Sequence, residues 1–367
     1  MTARAVQIVS IGSSEDDYSF TLDDEALMSV LSKAPPEMKI SVVSCVGAFR
    51  TGKSALLSWF LRYLRLTSLN DDDWEAVSTP GKEGEEEEGG GENEWWNKGG
   101  KLNEGEKFDW RGGQERHTTG IWMCIYNVSG RIGEDALQHL ALFSEYGRVA
   151  LRAEDEEGAG GGEDEDGDDS RKKRSPTQST ARPFQKIEFL VRDWQNFTIE
   201  DPSTSSDFAQ MESEMDAYLK SVIKSRDAED LAETRQQISE CFEKVSAYLL
   251  THPGIPVTRK NFDGDPAKVD PTFLKLLDRY VKRVFSTELE PKTIHGRTLT
   301  SSELGAYIKA YASIFKGGEE FPEPTTLLKA TASANNANAK MVAAGKYKAE
   351  MDHAFGPRST VFAKTEE

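Results

Sequence analysis

Cysteine is scarce in this sequence, with 3 residues among 367. Cys45, Cys124 and Cys241 are widely spaced and include no C-x-x-C pair, which excludes a disulfide framework and indicates free thiols in a reducing compartment. Long apolar runs are missing as well, since no stretch approaches the ~18 consecutive apolar residues of a transmembrane helix. The apolar run near Met1 is too short for a signal peptide. We therefore expect this chain alone to be soluble.

Basic residues number 45 against 63 acidic ones, and a formal net charge of −18 argues against nucleic acid or an anionic membrane as a partner. The excess of acidic over basic side chains is confined to two segments. Residues 71–106 carry 13 acidic and 3 basic side chains, and residues 152–169 carry 10 acidic and 1 basic. Because both are glycine-rich and poor in apolar residues, we expect disordered insertions at about 71–106 and 152–183. The basic run 171–174 is a nuclear-localisation or anionic-lipid patch or, as is more common, a solvated linker.

The clearest chemistry lies at 47–54, where GAFRTGKS satisfies the pattern G-x-x-x-x-G-K-[ST] at every position. A β-branched run at 38–46 predicts a buried parallel strand before it, and an apolar helical pattern at 55–64 follows. In such a loop, backbone N–H groups surround phosphate oxygens at the positive end of a helix. Lys53 is expected to reach the β- and γ-phosphates, and Ser54 to bind Mg²⁺. The motif predicts a purine nucleoside triphosphate site.

The rest of the chain predicts alternating strands and helices. We expect strands at 121–128 and 187–193 and helices at 134–151, 273–285 and 301–315. Residues 208–250 are interpreted as two helices, the second running from about Glu229 to His252 and ended by Pro253 and Gly254. A glycine- and proline-rich hinge is expected at 317–325, before an alanine-rich helix that begins at 326.

The base that such a site would bind depends on other residues, because a P-loop does not distinguish ATP from GTP. The N/T-K-x-D motif by which small GTPases read guanine has no credible copy here. Asp193 instead ends the predicted strand 187–193, and a carboxylate there can accept hydrogen bonds from guanine N1–H and the exocyclic amine, a donor pair that adenine lacks. Two other interpretations stay open: the metal-side aspartate of an ATPase, and a simple strand cap.

Five motifs in order decide between these interpretations by resemblance. GAFRTGKS, WRGGQERHTTGIW, DALQHLALFSEYGR, LVRDW and NFDG at 261–264 together resemble the atlastin family. These are dynamin-superfamily GTPases of the endoplasmic reticulum and relatives of guanylate-binding proteins. The similarity covers about residues 36–355, interrupted by the two acidic segments. It implies GTP hydrolysis coupled to membrane fusion through nucleotide-driven dimerisation in trans, followed by folding of a helical bundle onto the GTPase domain.

The resemblance also implies roles for single residues. Arg50 matches the family's arginine finger, Thr118 the switch threonine that closes over Mg²⁺ (Thr119 if the register differs by one), and Arg192 with Asp193 the pair that reads guanine. Val257 matches the residue that caps the base, in a loop about one residue shorter than the family's. The expected catalytic residues are Arg50, Lys53 and Thr118, the expected metal ligands are Ser54 and Thr118, and the expected nucleotide-binding residues are Gly47, Arg50, Thr51, Gly52, Lys53, Ser54, Ala55, Arg192, Asp193 and Val257. Residues 111–114 are expected near a dimer interface.

The sequence departs from the family at one internal place. The family's aspartate-x-x-glycine motif, which supports Mg²⁺ through water and senses the γ-phosphate, is missing between the HTTG loop and the LQHL helix. Downstream of the HTTG loop, the only D-x-x-G strings, at 155–158 and 164–167, lie in an acidic run and follow no apolar strand. Two strands and a helix are expected to be absent around Cys124, as after a skipped exon or an error in the gene sequence. The C-terminal region resembles only the first helix of the family's bundle, without a membrane hairpin.

These observations predict an α/β fold: a P-loop GTPase domain over 1–316 with a mainly parallel sheet flanked by helices, a hinge at 317–325, one helix of a truncated helical bundle at 326–355 and a tail at 356–367. The expected function is GTP binding and hydrolysis of the atlastin type, with GTP, Mg²⁺ and a homodimer through the GTPase domain as partners. The chain is expected to associate with the endoplasmic reticulum membrane only by way of a fuller isoform, and nucleic acid is not expected as a partner. The alternatives are a hydrolysis-deficient nucleotide-binding or scaffold form and, as the weakest, a P-loop ATPase.

Overall fold

The computed structural model describes residues 5–11, 20–48, 51–67, 94–98, 101–102, 123–141, 182, 184–224, 229–287, 289–294, 297–315 and 324–355. They divide into two compact units. The described residues of the first unit lie within Met1–Val6, Ser41–Arg148 and Thr180–Thr298, and those of the second lie within Gln7–Ile40 and Leu299–Glu367. The predicted domain boundaries stay predictions, and most of the predicted hinge, like the predicted tail at 356–367, lies outside the described residues.

The strands are short and are numbered in chain order. They are β1 Val9–Ile11, β2 Phe20–Leu22, β3 Val43–Gly47, β4 Met123–Ser129, β5 Phe184–Arg192, β6 Phe242–Leu249, β7 Thr293–Ile294 and β8 Arg297–Thr298. The helices are α1 Asp24–Leu31, α2 Lys53–Thr67, α3 over 134–141, α4 Ser205–Ile223, α5 Glu229–Cys241, α6 Ile255–Thr258, α7 Pro271–Lys282, α8 Ser301–Phe315 and α9 Pro324–Phe355. A 3₁₀ turn covers Pro266–Lys268, and a π-helical turn covers Arg283–Thr287.

A four-stranded parallel sheet in the order β3-β4-β5-β6 forms the centre of the first unit. Its middle strands are apolar along most of their length because both faces are covered; Ile187, Phe189 and Val191 on β5 are 0% exposed. Gly47 lies opposite Asn127, and Ser129 lies opposite Arg192, so the carboxyl ends of three strands share one edge. The predicted α/β fold with a mainly parallel sheet is confirmed.

The prediction of a helix from Glu229 to His252 is wrong in its second half. The helix ends at Cys241, and β6 begins at the next residue and pairs with β5 along its length. A short apolar run can fill either a buried helix or a buried strand, so its spacing alone does not separate the two. The sheet decides here, because β6 hydrogen-bonds the β5 edge that β4 leaves open.

The start and the end of α7 follow from its sequence. Asp270 caps the helix by accepting a hydrogen bond from the backbone N–H of Phe273 at 3.0 Å, and Pro271 occupies the first turn. Phe60 of α2 packs against Tyr280 of α7 and Phe285 of the π-helical turn, with ring centroids 6.1 and 5.1 Å apart. These aromatic contacts fix α2, and therefore the loop that precedes it, against the core.

Part of the first acidic segment is folded, contrary to the expectation of disorder over 71–106. Trp96 and Leu102 are buried, and the indole N–H of Trp95 donates to the carboxylate of Asp278 at 2.7 Å. The Lys101 ammonium lies 2.9 Å from the carboxylate of Asp263. The two tryptophans and one leucine supply the apolar surface that the glycine- and glutamate-rich stretch before them lacks. The second acidic segment lies outside the described residues, except for residue 182.

The second unit contains the antiparallel pair β1–β2 and helices α1, α8 and α9. Helix α8 packs against both α1 and α9, and a Cβ on Gly305 of α8 would lie only 3.1 Å from the Leu31 side chain. The Ser301 hydroxyl donates to the carbonyl of Leu31 at 2.9 Å. The predicted helices at 301–315 and 326–355 are confirmed, the second beginning slightly earlier, at Pro324.

Candidate nucleotide-binding site

The predicted P-loop connects the end of β3 to the start of α2, and its residues Phe49 and Arg50 lie outside the described residues. Gly47 has φ 144° and Gly52 has φ 78°, both in the region that favours glycine. A Cβ on Gly47 would lie 2.2 Å from the carbonyl oxygen of Asn127. The first glycine therefore serves two purposes, the turn of the backbone and the close approach of β3 to β4.

The Lys53 side chain curls back over this loop. Its Nζ donates to the carbonyl oxygens of Gly47 at 3.0 Å and Ala48 at 2.7 Å. Burial lowers the pKa of Lys53, the Cys45 thiol opposes that shift, and the nearby Arg192 guanidinium adds to it. Because these two partners are neutral carbonyls, the ammonium can exchange them for phosphate oxygens without breaking an ion pair with a carboxylate.

Asn127 supports the P-loop from the neighbouring strand. Its Nδ2 donates to the carbonyl of Thr51 at 2.9 Å, and its side chain is 0% exposed. The Thr51 hydroxyl in turn donates to the carbonyl of Ala48 at 2.9 Å. A buried amide that holds a loop carbonyl costs little while it is paired and much when it is lost. Sequence reasoning missed Asn127, although a polar residue inside the apolar run 121–128 was the available signal.

Arg192 and Asp193 lie at the carboxyl end of β5. Asp193 has φ 61°, an unusual value for a residue other than glycine. The hydroxyl of Ser129 donates to Oδ2 of Asp193 at 2.7 Å, and Nη2 of Arg192 lies 3.7 Å from the same oxygen. A Cβ on Gly52 would meet Nη1 of Arg192 at 2.5 Å. The Arg192 guanidinium therefore lies against the P-loop, while the Asp193 carboxylate is held by β4.

The electrostatic environment of Arg192 reflects its position. Burial lowers its pKa, and the Asp193 carboxylate and the Cys45 thiol oppose that shift. Its Nε is buried and has no hydrogen-bond partner among the described residues. Two cations, Arg192 and Lys53, thus stand close together at the carboxyl edge of the sheet, which suits an anionic ligand.

The other predicted residues are placed as follows. Ser54 and Ala55 lie in the first turn of α2, and Val257 lies in α6 and packs against the core of the first unit. Thr118, Thr119 and the expected interface stretch 111–114 lie outside the described residues. The structure thus brings together Gly47, Thr51, Gly52, Lys53 and Arg192, with Asp193 beside them.

The donor set for a metal is small in the described part of the chain. No group of three or more His, Cys, Asp or Glu side chains that could hold a metal ion occurs there. Ser54 offers one hydroxyl at the start of α2, beside Lys53. That set fits Mg²⁺ only when nucleotide phosphates and water complete the coordination, which is how this ion is usually held in phosphate-transfer sites.

A cavity of about 690 Å³ adjoins the Asp193 end of β5. Trp194 and Tyr218 form one of its walls, with ring centroids 4.5 Å apart. The Tyr218 hydroxyl accepts a hydrogen bond from the backbone N–H of Ile132 at 2.8 Å. The cavity borders the β4–α3 loop, and Ser129 belongs to its lining.

Comparison with known proteins gives the family. The model of the guanylate-binding protein, N-terminal domain, matches residues 17–125 and 123–293. Atlastin-1 of Bos taurus is 31% identical over 405 aligned positions, which cover 96% of this chain and 62% of that protein. Atlastin of Drosophila melanogaster is 30% identical over 97% of this chain and 65% of its own length, and Atlastin-2 of Homo sapiens is 32% identical over 93% and 58%.

The chain belongs to the atlastin family. It spans about 62% of the length of the first of these relatives. The alignment with that atlastin extends over 405 positions, more than the 367 residues of the chain, so the relative has residues within the shared span that have no counterpart here. The two family matches meet at 123–125. That is the place around Cys124 where the atlastin pattern predicts missing strands.

Proposed function

We propose that this atlastin-family chain binds GTP at the carboxyl edge of the parallel sheet. The observation that carries the proposal is the contact between the two halves of the site: the Arg192 guanidinium lies against Gly52 of the P-loop. Phosphates would lie at residues 47–54, with Lys53 exchanging its carbonyl partners for phosphate oxygens. The base would lie at Asp193, whose carboxylate accepts from guanine N1–H and its amino group. Val257 would help to cover the base.

Hydrolysis would draw on further residues. Mg²⁺, when bound with the nucleotide, neutralises charge on the β- and γ-phosphates. Ser54 and Thr118 would hold it, and Arg50 would stabilise charge on the transferring phosphoryl group. Atlastin homology supports a GTPase, and it supports a homodimer through this domain. We propose the endoplasmic reticulum, its membrane fusion and its tubular network as the setting, on the same grounds.

The base preference is tested by titrating the chain with fluorescent GDP and ADP. We expect GDP to bind at least tenfold more tightly, because each hydrogen bond to the base edge that adenine cannot make is worth about 1 kcal/mol or more. Lys53→Ala is the control for the phosphate half and should weaken both nucleotides. Equal affinities of the unaltered chain for GDP and ADP would overturn the guanine assignment and favour the ATPase interpretation of Asp193.

A second candidate function is nucleotide binding with little or no hydrolysis. It is favoured by the missing aspartate-x-x-glycine motif. It is also favoured by the residues that the atlastins have within the shared span and that this chain lacks. Such a form would act as a GTP-dependent binding or scaffold protein. Membrane attachment is a separate question: in the part of the chain that the structure describes, no helix has the length and apolar character needed to cross a bilayer.

A further inference from the structure

Strand β4 presents polar side chains toward both halves of the site. Asn127 and Ser129 are two residues apart, so they lie on the same face of the strand. Asn127 donates to the P-loop carbonyl of Thr51 on one side, and Ser129 donates to Asp193 on the other. The rest of the strand is mostly buried and apolar. Two polar residues at its carboxyl end, each bonded to a different functional loop, require an explanation other than core packing.

The backbone around Asp193 is fixed on both sides. The N–H of Gly130 donates to the carbonyl of Arg192 at 2.7 Å, and the N–H of Trp194 donates to the carbonyl of Leu250 at 2.9 Å. Between these two bonds Asp193 adopts its positive φ of 61°. A strained conformation of this kind persists where the surroundings determine it, and it is common at ligand-binding positions.

The carboxylate itself is held at one oxygen. Oδ2 accepts from the Ser129 hydroxyl at 2.7 Å, within the usual range for a hydroxyl bonded to a carboxylate. Arg192 at 3.7 Å from the same oxygen is beyond hydrogen-bond distance, since its guanidinium is directed to the P-loop. Among these contacts, the Ser129 hydroxyl is therefore the group that determines how the carboxylate is turned.

We propose that Ser129 is a specificity-positioning residue, which orients the Asp193 carboxylate so that it accepts from N1–H and the exocyclic amine of guanine together. This inference rests on the proposed function, because it requires a guanine nucleotide at the site. Without the Ser129 hydroxyl, the carboxylate rotates about its Cβ–Cγ bond and must be ordered by the base itself. Ordering the carboxylate costs free energy on binding. The affinity therefore falls more for a base that donates from both N1–H and an exocyclic amine than for a base that donates from N1–H alone.

A purely structural role for Ser129 predicts something different. Ser129 is exposed and ends its strand, so removing its hydroxyl should change stability little. If it acted through folding, every ligand of the site would lose affinity to the same extent. The two roles are separated by comparing nucleotides that share their phosphates and ribose and differ only at the base edge. GDP and IDP form such a pair, because inosine has N1–H but lacks the amino group.

The experiment measures the affinities of GDP and IDP for the full chain and its variants. In Ser129→Ala we expect the GDP affinity to fall about three- to tenfold and the IDP affinity to fall less. The ratio of GDP affinity to IDP affinity, here the GDP/IDP ratio, therefore decreases toward the value expected for Asp193→Asn, in which the carboxylate itself is lost. Ser129→Thr keeps the hydroxyl and should retain the ratio of the unaltered chain. Ser129→Cys, which nearly keeps the volume with a weaker donor, should give an intermediate ratio and replaces the alanine variant if that one does not fold.

Ser221→Ala is the matched control. Ser221 lines the same cavity and is exposed, but its hydroxyl donates within its own helix, to the carbonyl of Tyr218 at 2.6 Å. Its GDP/IDP ratio should not change. If the ratio of GDP affinity to IDP affinity stays unchanged in both Ser129→Ala and Ser129→Cys, whether or not the two affinities fall together, the role of Ser129 is overturned. An unaltered chain that binds GDP and ADP equally overturns the proposed function instead, and the inference with it.

Discussion

At the scale of single residues, the site depends on short contacts that only certain side chains permit. Gly47 has no side chain at the point where the carbonyl oxygen of Asn127 passes 2.2 Å from its Cβ position. Asn127 uses its amide to hold the carbonyl of Thr51 in the P-loop. The proposed phosphate half of the site is therefore shaped by β4 as well as by the P-loop itself, because both contacts join residues far apart in the sequence.

Gly47→Ala tests this close approach. We expect GDP affinity to fall at least tenfold, because the new methyl group collides with backbone that cannot move without separating β3 from β4. Fluorescence titration with GDP gives the affinity. Gly130→Ala is the control, since Gly130 also has a positive φ of 74° but a Cβ there would meet nothing within 4 Å. A similar loss in both variants would mean that backbone strain, not the contact with Asn127, determines the effect.

The sequence predicts some of these residues and not others for a clear reason. Gly47, Lys53 and Ser54 belong to one contiguous motif whose spacing carries its chemistry. Asn127 and Ser129 act on residues 76 and 64 positions away, and such contacts become visible only when the strand order is known. Aspartate is one of the few residues other than glycine that enter the region of positive φ, but the backbone hydrogen bonds on either side of Asp193, to Gly130 and Leu250, are likewise contacts between residues distant in sequence.

At the scale of elements, the central strands are apolar because both of their faces are buried. The same apolar runs would also fit a buried helix, so they do not show which element forms. The sequence predicts β5 because breaks in the pattern flank it, whereas β6 follows α5 without a turn residue and its apolar pattern continues that of the helix. The first contacts that distinguish β6 are its backbone pairs with β5, from Phe184↔Phe242 to Val191↔Leu249. Pairing of this kind is not encoded in the local spacing of apolar residues.

Strand β5 also contains a buried charge. Glu188 is 0% exposed, and its Oε2 accepts from Arg283 at 2.7 Å and from the Ser246 hydroxyl at 2.8 Å. The Lys186 ammonium lies 3.5 Å away from the same oxygen. A buried carboxylate with several partners joins β5, β6 and the turn after α7, and its loss leaves cations in a region of low dielectric.

Glu188→Gln is predicted to lower the free energy of unfolding by about 3–5 kcal/mol, because Arg283 and Lys186 lose the anion that compensates them. Urea unfolding followed by circular dichroism measures the change. Glu212→Gln is the control: Glu212 pairs with Arg279 at 2.9 Å on the surface, with side chains 46% and 39% exposed. That variant should lose less than about 1 kcal/mol. If the two variants lose the same amount, the buried pair contributes no more than a surface pair.

At the scale of the whole molecule, the charge is concentrated in two stretches of the chain. The two acidic segments carry a combined formal charge of −19, so the rest of the chain carries +1. The described end of the first segment packs through Trp95 and Trp96. Composition identifies the tracts of low apolar content. It does not predict where the first one ends, because two tryptophans in a polar stretch gain their burial from residues such as Asp278 that are distant in sequence.

The internal departure from the atlastins concerns the proposed hydrolysis of GTP. Phosphoryl transfer gains most of its rate from positioning and from charge stabilisation around the γ-phosphate. The P-loop and Asp193 would supply binding of phosphate and base. The aspartate-x-x-glycine segment would supply the support of Mg²⁺ and the γ-phosphate sensor. In the described part of the chain, β3 pairs with β4 and lies at the edge of the sheet, next to where the absent strands are expected.

This chain is therefore expected to bind GTP through its phosphate and base site but to hydrolyse it slowly. Single-turnover GTP hydrolysis, by this chain and by a variant with an atlastin-like segment restored after Cys124, tests that expectation most directly. We predict a rate about two to four decades lower for the unaltered chain, equivalent to about 3–5 kcal/mol of lost transition-state stabilisation, with GTP bound by both. Equal rates in the two proteins would contradict a role for the missing segment.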